Sequence, residues 1–557
     1  MKTTWRRRLL ASCIAIAAGW TTLHGVAQEI QHLPPVEEQV EDVEKRVREL
    51  EARLGEQQLQ YEALRREFEG QPRTMNTAFE MNRDAAASLN EAPQGYEVGS
   101  DTAMTAQWKD GLEFSTKNKD FRVHIGGRTQ VDLGWFSVDP NLYTPTGAPT
   151  SGLGNTYADG VDFRRARLRI DGTMYETMEW AVEYDFVNSA NFAGSTRTVT
   201  AATDLWWMFK EVPFFQNIKI GNQKEAIGFE HMVSSRFQPF MERSYNQDAF
   251  FGGVFNGFTP GIAALGTFGD DEMATYNIGI FKPTNNVFAY NTGDGDYAAT
   301  ARLTRLLIYE DDGAQLLHVG GSFRQGTAVG NNVGGGAVSG SRFQQFRTRD
   351  AIRTGLSGNW PTPANITLAG DDQQTANAEL VAVHGSWTFQ SEYLVNGLQN
   401  ARSTTIGLGP GGGTQTGTIV NGPDVGTAIY HGGYVQVLYF LTGEHDHYEK
   451  KNGFFGRVRP HENAFWVRDE DGCSCHGWGA WQVGARYNYL DLNDKGLNGG
   501  QLHNITTGVN WFLNPNSKLQ FDYIATYRDA ALPAAGGIAD PGDGWIHGWG
   551  MRFAHDF

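Results

Sequence analysis

From about residue 108 to the C-terminus, apolar and polar side chains alternate along the chain with a period of two. In segment 121–136, Val131 and Leu133 lie on one face of a predicted strand, whereas Arg128 and Asp132 lie on the other. Runs of this kind are separated by Gly-, Asn- and Asp-rich loops, which is the pattern of half-buried β-strands. The main part of the chain is therefore predicted to be all-β.

The alternation fits either a transmembrane β-barrel or an exported soluble β-sandwich. Mean hydropathy is −0.43, Gly occurs 68 times and aromatic residues make up 12% of the chain, and these values suit both folds. Beyond residue 30 no stretch approaches the roughly 20 apolar residues of a membrane helix. The last residues favour the barrel, because Trp549, Met551, Phe553, His555 and Phe557 alternate with smaller or polar residues up to the chain end, as in outer-membrane strands.

The first residues have the pattern of a signal peptide. Arg6, Arg7 and Arg8 precede a short apolar run, and a small-residue cleavage site follows near Ala27. We predict a cleaved signal peptide over 1–27 and a location in the cell outer membrane. The alternative is a short membrane anchor.

A heptad pattern follows the predicted signal peptide. Val36, Val40, Val43, Val47 and Leu50 are spaced alternately by four and three residues, as in a coiled coil. We predict a periplasmic coiled-coil helix over 36–69, a linker over 70–107 and the barrel over 108–557. A coil of two or three strands implies an oligomer, and the alternative is a single amphipathic helix packed on the domain.

Charge and motifs exclude several function classes. The net charge of −17 argues against a nucleic-acid partner, whose binding surfaces are usually basic. The sequence contains none of the common catalytic motifs, so we predict that the protein is not an enzyme and has no cofactor and no metal site. Cys473, Cys475 and His476 could form a metal site, but the spacing between the cysteines is short for zinc, and an external loop with oxidised or free thiols is the alternative.

Three arginines lie in a row on one face of a predicted strand: Arg165, Arg167 and Arg169. On a lipid face each would cost roughly 2–4 kcal/mol near the midplane, so we expect them to face the lumen, where fixed positive charge favours anions. Alternatively, they form a structural network with Glu183 and Asp185. The opposite face carries Ala166, Leu168 and Ile170, with Arg164 at its edge.

Several segments resemble one protein family, and they occur in the family's order. They include 162–168 (DFRRARL), 221–225 (GNQKE), 439–444 (YFLTGE) and 510–516 (NWFLNPN). Together they resemble the phosphate-selective porin O and P family over about residues 120–557.

The resemblance implies a 16-stranded antiparallel transmembrane β-barrel in outer-membrane lipid, with one pore per subunit and a homotrimeric assembly. It also implies an inward-folded third loop around residues 229–245, and basic side chains that attract small anions such as phosphate. The residues expected to line the pore and bind anions are Arg122, Arg128, Arg165, Arg167, Arg169, Lys224, Arg236 and Arg243.

The predicted function is an outer-membrane porin with a water-filled channel for passive diffusion of small solutes and ions. We expect it to prefer anions, with phosphate or polyphosphate as candidate solutes. One alternative is an envelope-anchoring barrel whose coiled coil binds peptidoglycan or other cell-wall material, and another is an outer-membrane enzyme.

Charge placed in the core of the predicted coil should separate the two parts of the chain. Val43→Asp or Leu50→Asp should unfold the coil and leave the barrel folded, because a closed sheet satisfies its own backbone hydrogen bonds. Circular dichroism and heat-modifiable electrophoretic mobility would measure the two effects. Loss of the barrel in either variant would contradict this two-part architecture.

Overall fold

The computed structural model describes residues 97–142, 157, 159–187, 201–252, 257–283, 297–328, 343–353, 363–405, 420–468, 474–529 and 543–557. The chain divides into two compact units between Tyr96 and Glu97, and all of the described residues belong to the second unit. The predicted signal peptide (1–27), the predicted coiled coil (36–69), most of the predicted linker (70–107) and Cys473 lie outside the described residues.

Sixteen antiparallel strands close into a barrel, because each strand pairs with its sequence neighbour and the last pairs with the first. The pairing of Asp556 with Arg128 begins this closing seam. The predicted 16-stranded antiparallel barrel is therefore confirmed. The strands are β1 (Arg122–Val138), β2 (Gly160–Met174), β3 (Met178–Asp185), β4 (Ala201–Val212), β5 (Gln216–Lys224), β6 (Phe258–Phe268), β7 (Ala274–Phe281), β8 (Ala298–Glu310), β9 (Gln315–Thr327), β10 (Asp372–His384), β11 (Trp387–Leu398), β12 (Ala428–Phe440), β13 (Ala480–Asp494), β14 (Leu497–Asn514), β15 (Ser517–Asp529) and β16 (Gly544–Asp556).

The two faces of the sheet have the opposite polarity to those of a soluble protein. In β16, Trp549 and Phe553 are 47% and 41% exposed, whereas Arg552 between them is 1% exposed. In β3, Glu183 and Asp185 are likewise buried on the inner face. A soluble sandwich would bury its apolar face instead, so this surface is suited to lipid. Within the described ranges, no helix is long and apolar enough to span a membrane.

Connection lengths differ between the two ends of the barrel. At the end where the chain terminates, most neighbouring strands are joined by a few residues, as in 213–215 and 385–386, and we call this the turn end. The exception is the long connection 441–479, which joins β12 to β13 at the turn end. The connections at the opposite end are mostly long, and two of them, 225–257 and 328–371, contribute buried residues to the interior.

An N-terminal hairpin extends the barrel wall at the turn end. Met104–Trp108 pairs with Leu112–Thr116, which in turn pairs with β1. Leu112 lies opposite Ile125, just beyond the stretch of β1 that pairs with β16. The hairpin therefore covers the part of β1 that β16 does not reach.

Short elements lie in the connections. The short strands are Phe343–Thr348, Ala364–Ala369, Arg402–Thr405, Val420–Asn421, Tyr448–Glu449, Phe454–Phe455, Phe465–Arg468 and Ser474–Gly477. The short helices and helical turns are Pro140–Leu142, Phe229–Met232, Tyr245–Gln247, Asp248–Gly252, Asp270–Glu272 and Asp311–Gly313.

The closing seam requires a glycine at position 127. The Gly127 N–H donates to the Phe557 carbonyl at 2.7 Å, and the Phe557 N–H donates to the Gly127 carbonyl at 3.1 Å. A Cβ at Gly127 would lie 2.6 Å from the Arg167 carbonyl oxygen and 2.8 Å from the Phe557 ring. The seam therefore has no room for a side chain at this position.

Gly127→Val should therefore weaken the seam. We expect the free energy of unfolding to fall by about 1–3 kcal/mol, the usual cost of forced overpacking. The change would be seen as a lower urea midpoint in the heat-modifiability assay. Thr129→Val, at the next outward position of β1 and nearly isosteric, is the control and should keep the wild-type midpoint. Equal midpoints for Gly127→Val and the control would show that the seam tolerates the side chain.

Candidate functional site

The connection between β5 and β6 folds into the barrel, and we call its described residues 225–252 the inner loop. The inner loop contains the helix Phe229–Met232 and the helical turns Tyr245–Gln247 and Asp248–Gly252. Phe229, Phe240 and Met241 are almost completely buried. The region 229–245, which the sequence assigned to an inward-folded loop, lies in this segment.

The inner loop is fixed to the half of the barrel that strands β11–β16 form. The carboxylate of Glu392 on β11 accepts the backbone N–H groups of Phe229 at 2.9 Å and Glu230 at 2.6 Å. The carboxylate of Asp522 on β15 accepts the Met241 N–H at 2.7 Å. Carboxylates that accept buried backbone N–H groups form strong, charge-assisted hydrogen bonds, so both ends of this stretch are held to the wall.

Glu242 is the centre of charge in the inner loop. Arg164 on β2 donates to it at 2.6 Å and Arg552 on β16 at 2.9 Å, and Arg353 pairs with it at 3.2 Å. Burial alone would raise the pKa of Glu242, but the arginines, Arg164 foremost, lower this pKa well below its ordinary value. One carboxylate thus joins the two strands that flank β1 to the connection between β9 and β10.

The connection between β9 and β10 also enters the barrel and holds the far part of the inner loop. Arg349 donates to Asp248 at 2.5 Å, and Arg353 pairs with the same carboxylate at 3.2 Å. Asp350 accepts the Tyr245 hydroxyl at 2.5 Å. These contacts join Arg349 and Arg353, whose connection begins at the end of the barrel opposite the turn end, to the inner loop.

A segment from the turn end enters the barrel as well. In the connection 441–479, Tyr448 is buried, with its hydroxyl 2.7 Å from Nδ1 of His318. The Gly453 carbonyl accepts a hydrogen bond from Arg302 at 2.9 Å. The lumen is therefore narrowed by chain segments from both ends.

The open space of the lumen lies along β1–β8. A cavity of about 390 Å³ is found there. Among the described residues its lining has thirteen Lys and Arg side chains and four carboxylates. His231 adds no charge at neutral pH, because burial lowers its pKa well below the ordinary value. The basic residues are Arg128, Arg164, Arg165, Arg167, Arg169, Lys219, Lys224, Arg236, Arg243, Arg302, Arg349, Arg353 and Lys451, and the acidic ones are Glu183, Asp204, Glu242 and Asp248.

Seven of the eight residues selected from the sequence lie together in this lining: Arg128, Arg165, Arg167, Arg169, Lys224, Arg236 and Arg243. Arg122 lies elsewhere, at the start of β1. It donates to Glu113 of the N-terminal hairpin at 2.7 Å and to Asp171 at 3.2 Å. The structure therefore places Arg122 in contacts that join the hairpin to the barrel.

Many of the arginines on β1 and β2 are paired with carboxylates of neighbouring strands. Arg167 donates to both Glu183 and Asp185, so its charge is balanced locally. Such pairs correspond to the structural network that the sequence left open as an alternative. The distances are Arg128–Glu183 2.5 Å, Arg167–Glu183 2.9 Å, Arg167–Asp185 2.7 Å, Arg169–Asp171 2.9 Å and Arg169–Asp204 2.7 Å.

Four other cations of the lining have no carboxylate within 4 Å among the residues described. Lys224 and Arg243 donate to backbone carbonyls of the inner loop, including that of Val233. Arg165 donates to Gln130 at 2.6 Å. The Lys219 ammonium lies 4.4 Å from the centre of the Trp206 ring, a cation–π arrangement.

The uncompensated cation on the inner loop stays charged at neutral pH. Burial lowers the pKa of Arg243 to about 10. The neighbouring loop residue Arg236, whose nearest carboxylate oxygen is 3.7 Å away on Asp556, has its pKa lowered by burial to about 9. Both groups are therefore cationic at pH 7.

The sequence prediction for Arg164 was wrong. A register shift places Arg165 opposite Gln130 but Phe163 opposite Val131, so Arg164 is the extra residue of a β-bulge. The bulge turns Arg164 inward to Glu242, although strict alternation assigned it to the edge of the apolar face.

Other basic lining residues were also missed. Lys219 and Arg302 could have been found by extending the period of two along β5 and β8. Arg349, Arg353 and Lys451 lie in connections, where no periodicity indicates direction.

Removing the charge of Glu242 should loosen the inner loop. Glu242→Gln leaves three buried arginines without this partner, and breaking a buried ion pair costs about 3–5 kcal/mol. We expect a lower urea midpoint and faster proteolysis within 225–252. Asp424→Asn, which removes an exposed pair with Arg402 at 3.5 Å, is the control and should change stability by less than about 1 kcal/mol.

The pH dependence of the same contact follows from the lowered pKa. The stabilisation that Glu242 contributes should be complete at pH values above the ordinary Glu pKa of about 4.3. It should be lost only as the pH falls towards the much lower pKa of Glu242 in the folded protein. An inner loop that becomes protease-sensitive near pH 4.3, or a Glu242→Gln variant as stable as Asp424→Asn, would contradict the central role of Glu242.

The chain is similar in sequence to known proteins. The sequence profile described as phosphate-selective porin O and P matches residues 149–554. Porin O of Pseudomonas aeruginosa is 24% identical over 79% of this chain and 90% of its own length. Among solved structures, OmpF of Salmonella typhi is 12% identical with a TM-score of 0.42, covering 81% of this chain and 100% of its own. An anion-selective porin from Comamonas acidovorans is 12% identical with a TM-score of 0.39, covering 78% and 100%. Because the profile spans most of the chain, from before β2 into β16, this protein belongs to the phosphate-selective porin O and P family.

Proposed function

We propose that this porin is a passive, water-filled outer-membrane channel that favours small anions, with phosphate among its solutes. The observation that carries the proposal is the excess of basic side chains around the cavity, thirteen against four carboxylates among the described residues. Fixed positive charge beside a low-dielectric wall lowers the barrier for anions and raises it for cations.

In this proposal the basic residues divide into two roles. Arg128, Arg167 and Arg169 are balanced by the carboxylates described above, so they shape the wall and contribute little net charge. Arg165 and Lys219, which have no carboxylate partner among the described residues, supply uncompensated charge along β2 and β5. Lys224 supplies uncompensated charge from the end of β5 next to the inner loop, and Arg243 supplies it from within the inner loop.

Phosphate is the proposed solute for two reasons. The chain belongs to a family described as phosphate-selective. Arginine and lysine are also the side chains that bind phosphate oxygens most strongly, and they dominate the lining. Arg236 and Arg243 are placed on the inner loop, where such a solute would pass between loop and wall.

The remaining parts of the proposal concern assembly. We propose a homotrimer exported by a signal peptide over residues 1–27, with the coiled coil of 36–69 in the periplasm. Membership of a porin family supports the export and the membrane location, and the heptad pattern supports self-association.

The selectivity should fall when uncompensated charge is removed from the wall. The variant to test is Arg165→Gln/Lys219→Gln. In the described structure neither Arg165 nor Lys219 bonds to the inner loop, so the inner loop should keep its position. We expect the anion-to-cation permeability ratio to drop about two- to fivefold for each charge at low salt, from about 0.5–1 kcal/mol per charge at 4–8 Å in water. The ratio is measured from reversal potentials across planar bilayers in a salt gradient.

The matched control is Arg459→Gln, because Arg459 is exposed at the turn end and outside the cavity lining. Its permeability ratio should equal that of the wild type. The effect of the double variant should shrink at 1 M salt, where the Debye length is about 3 Å. An unchanged reversal potential in the double variant at low salt would reject the assignment of uncompensated charge, and the absence of conductance steps from folded wild-type protein would reject the channel itself.

A further inference from the structure

A second, much smaller cavity lies behind the inner loop at the turn end of the barrel. Its volume is about 30 Å³. Arg236 of the inner loop and Arg128 of β1 border both this cavity and the larger one. The wall is formed by Asn516 from the turn before β15, Lys518 from β15 and Asp556 from β16.

Three of the residues around the small cavity have buried donors that no acceptor satisfies. Among the residues described, Nε of Arg128, Nε and Nη2 of Arg236 and Nδ2 of Asn516 have no hydrogen-bond partner. A buried donor without an acceptor is costly, and buried polar groups in folded proteins nearly always have one. All of these atoms are donors, so the missing partner is an acceptor.

The charges around the small cavity are also unbalanced. Four cations border it, and Asp556 is the one carboxylate in its described lining. Arg128 is paired with Glu183 and Arg457 with Asp556, so Arg236 and Lys518 are the two cations left without a hydrogen-bonded carboxylate among the described residues. Asp556 already accepts a hydrogen bond from Arg457, and its oxygen is 3.7 Å from Nε of Arg236, too far for a hydrogen bond.

Lys518 increases this imbalance. Its ammonium donates to the Gln238 carbonyl of the inner loop at 2.7 Å, and no carboxylate of the described chain lies within 4 Å of it. Buried charges in proteins are normally paired. A neutral water could also accept from the free donors, but an anion beside Arg236 and Lys518 would in addition favour the charged form of both side chains.

We infer that the small cavity binds a monatomic anion, chloride under ordinary conditions, which joins the inner loop to the wall of β1, β15 and β16. The size is suitable, because a cavity needs about 10–15 Å³ to hold one water-sized species. The anion would accept hydrogen bonds from the loop residue Arg236 and from Arg128 across the wall. Arg128 and Arg236 border both cavities, but the anion would lie behind the inner loop, and the inference stands whether or not the channel favours anions.

The direct test is crystallography of the full-length protein in sodium bromide in place of sodium chloride. An anomalous bromine peak is expected between Arg236, Arg128 and Lys518. The peak should persist when the crystals are transferred to low millimolar bromide, whereas a peak that appears only at crystallisation concentrations would indicate an adventitious ion only and would overturn the inference. An ordered water with no anomalous signal would overturn it as well.

A solution measurement tests the same site. At constant ionic strength, replacing gluconate by chloride should raise the Tm of the barrel in a saturable manner. Lys518→Met should remove this chloride dependence, and so should Arg236→Gln. Lys451→Gln removes a cation that borders only the larger cavity and should retain it.

The outcomes of the solution measurement are distinguishable. A Tm that does not depend on chloride in the wild type, or a dependence that survives in both Lys518→Met and Arg236→Gln, would contradict the site. Because the bromide experiment uses the wild type, it remains decisive if either variant fails to fold. If the wild-type channel showed no anion selectivity in bilayers but its crystals showed the bromine peak, the proposed function would be rejected and this anion site would be retained.

Discussion

The architecture of the lumen depends on one buried carboxylate, Glu242, and the guanidinium groups around it. Charges taken out of water must be paired, and in a barrel interior the partners come from strands that are far apart in sequence. Arg164 and Arg552 meet at Glu242 from the two strands that flank β1. The inner loop is thereby held to strands on either side of β1, and Glu392 and Asp522 hold it to β11 and β15 as well.

The basic residues of the lumen divide into those that are paired with carboxylates and those that supply net positive charge to the pore. Where arginines of β2 face carboxylates of β3 in register, as Arg169 faces Glu183 across the pair, the row of positive charge is largely cancelled. Net charge is left where the neighbours are carbonyls, amides or aromatic rings, as around Lys224 and Lys219. A row of arginines is thus a poor guide to selectivity unless the residues on the adjacent strands are considered.

The sequence predicted the strands well because their alternation is local. The inward direction of Arg128, Arg165, Arg167 and Arg169 follows from a period of two. Arg164 could not be placed in the same way, because a bulge adds one residue without any change in composition. The contacts between the inner loop and the wall pair residues that are distant in sequence, 78 positions for Arg164 and Glu242 and 310 for Arg552 and Glu242, so no local pattern encodes them. For the same reason, the entry of 441–479 from the turn end was not predicted.

The N-terminal hairpin has a consequence for how the barrel reaches its register. The edge of β1 pairs with β16, and Asp132 and Arg552 on these strands are 420 positions apart, so closing this pair is entropically costly. Leu112–Thr116 lies next to β1 in sequence and covers the part of its edge next to Ile125. Phe557 meets Gly127 directly beyond this covered stretch. A slip of β16 past Gly127 would therefore meet an edge of β1 that the hairpin already occupies. The hairpin thus opposes a shift in register by one residue, which would turn every side chain of β16 to the opposite face.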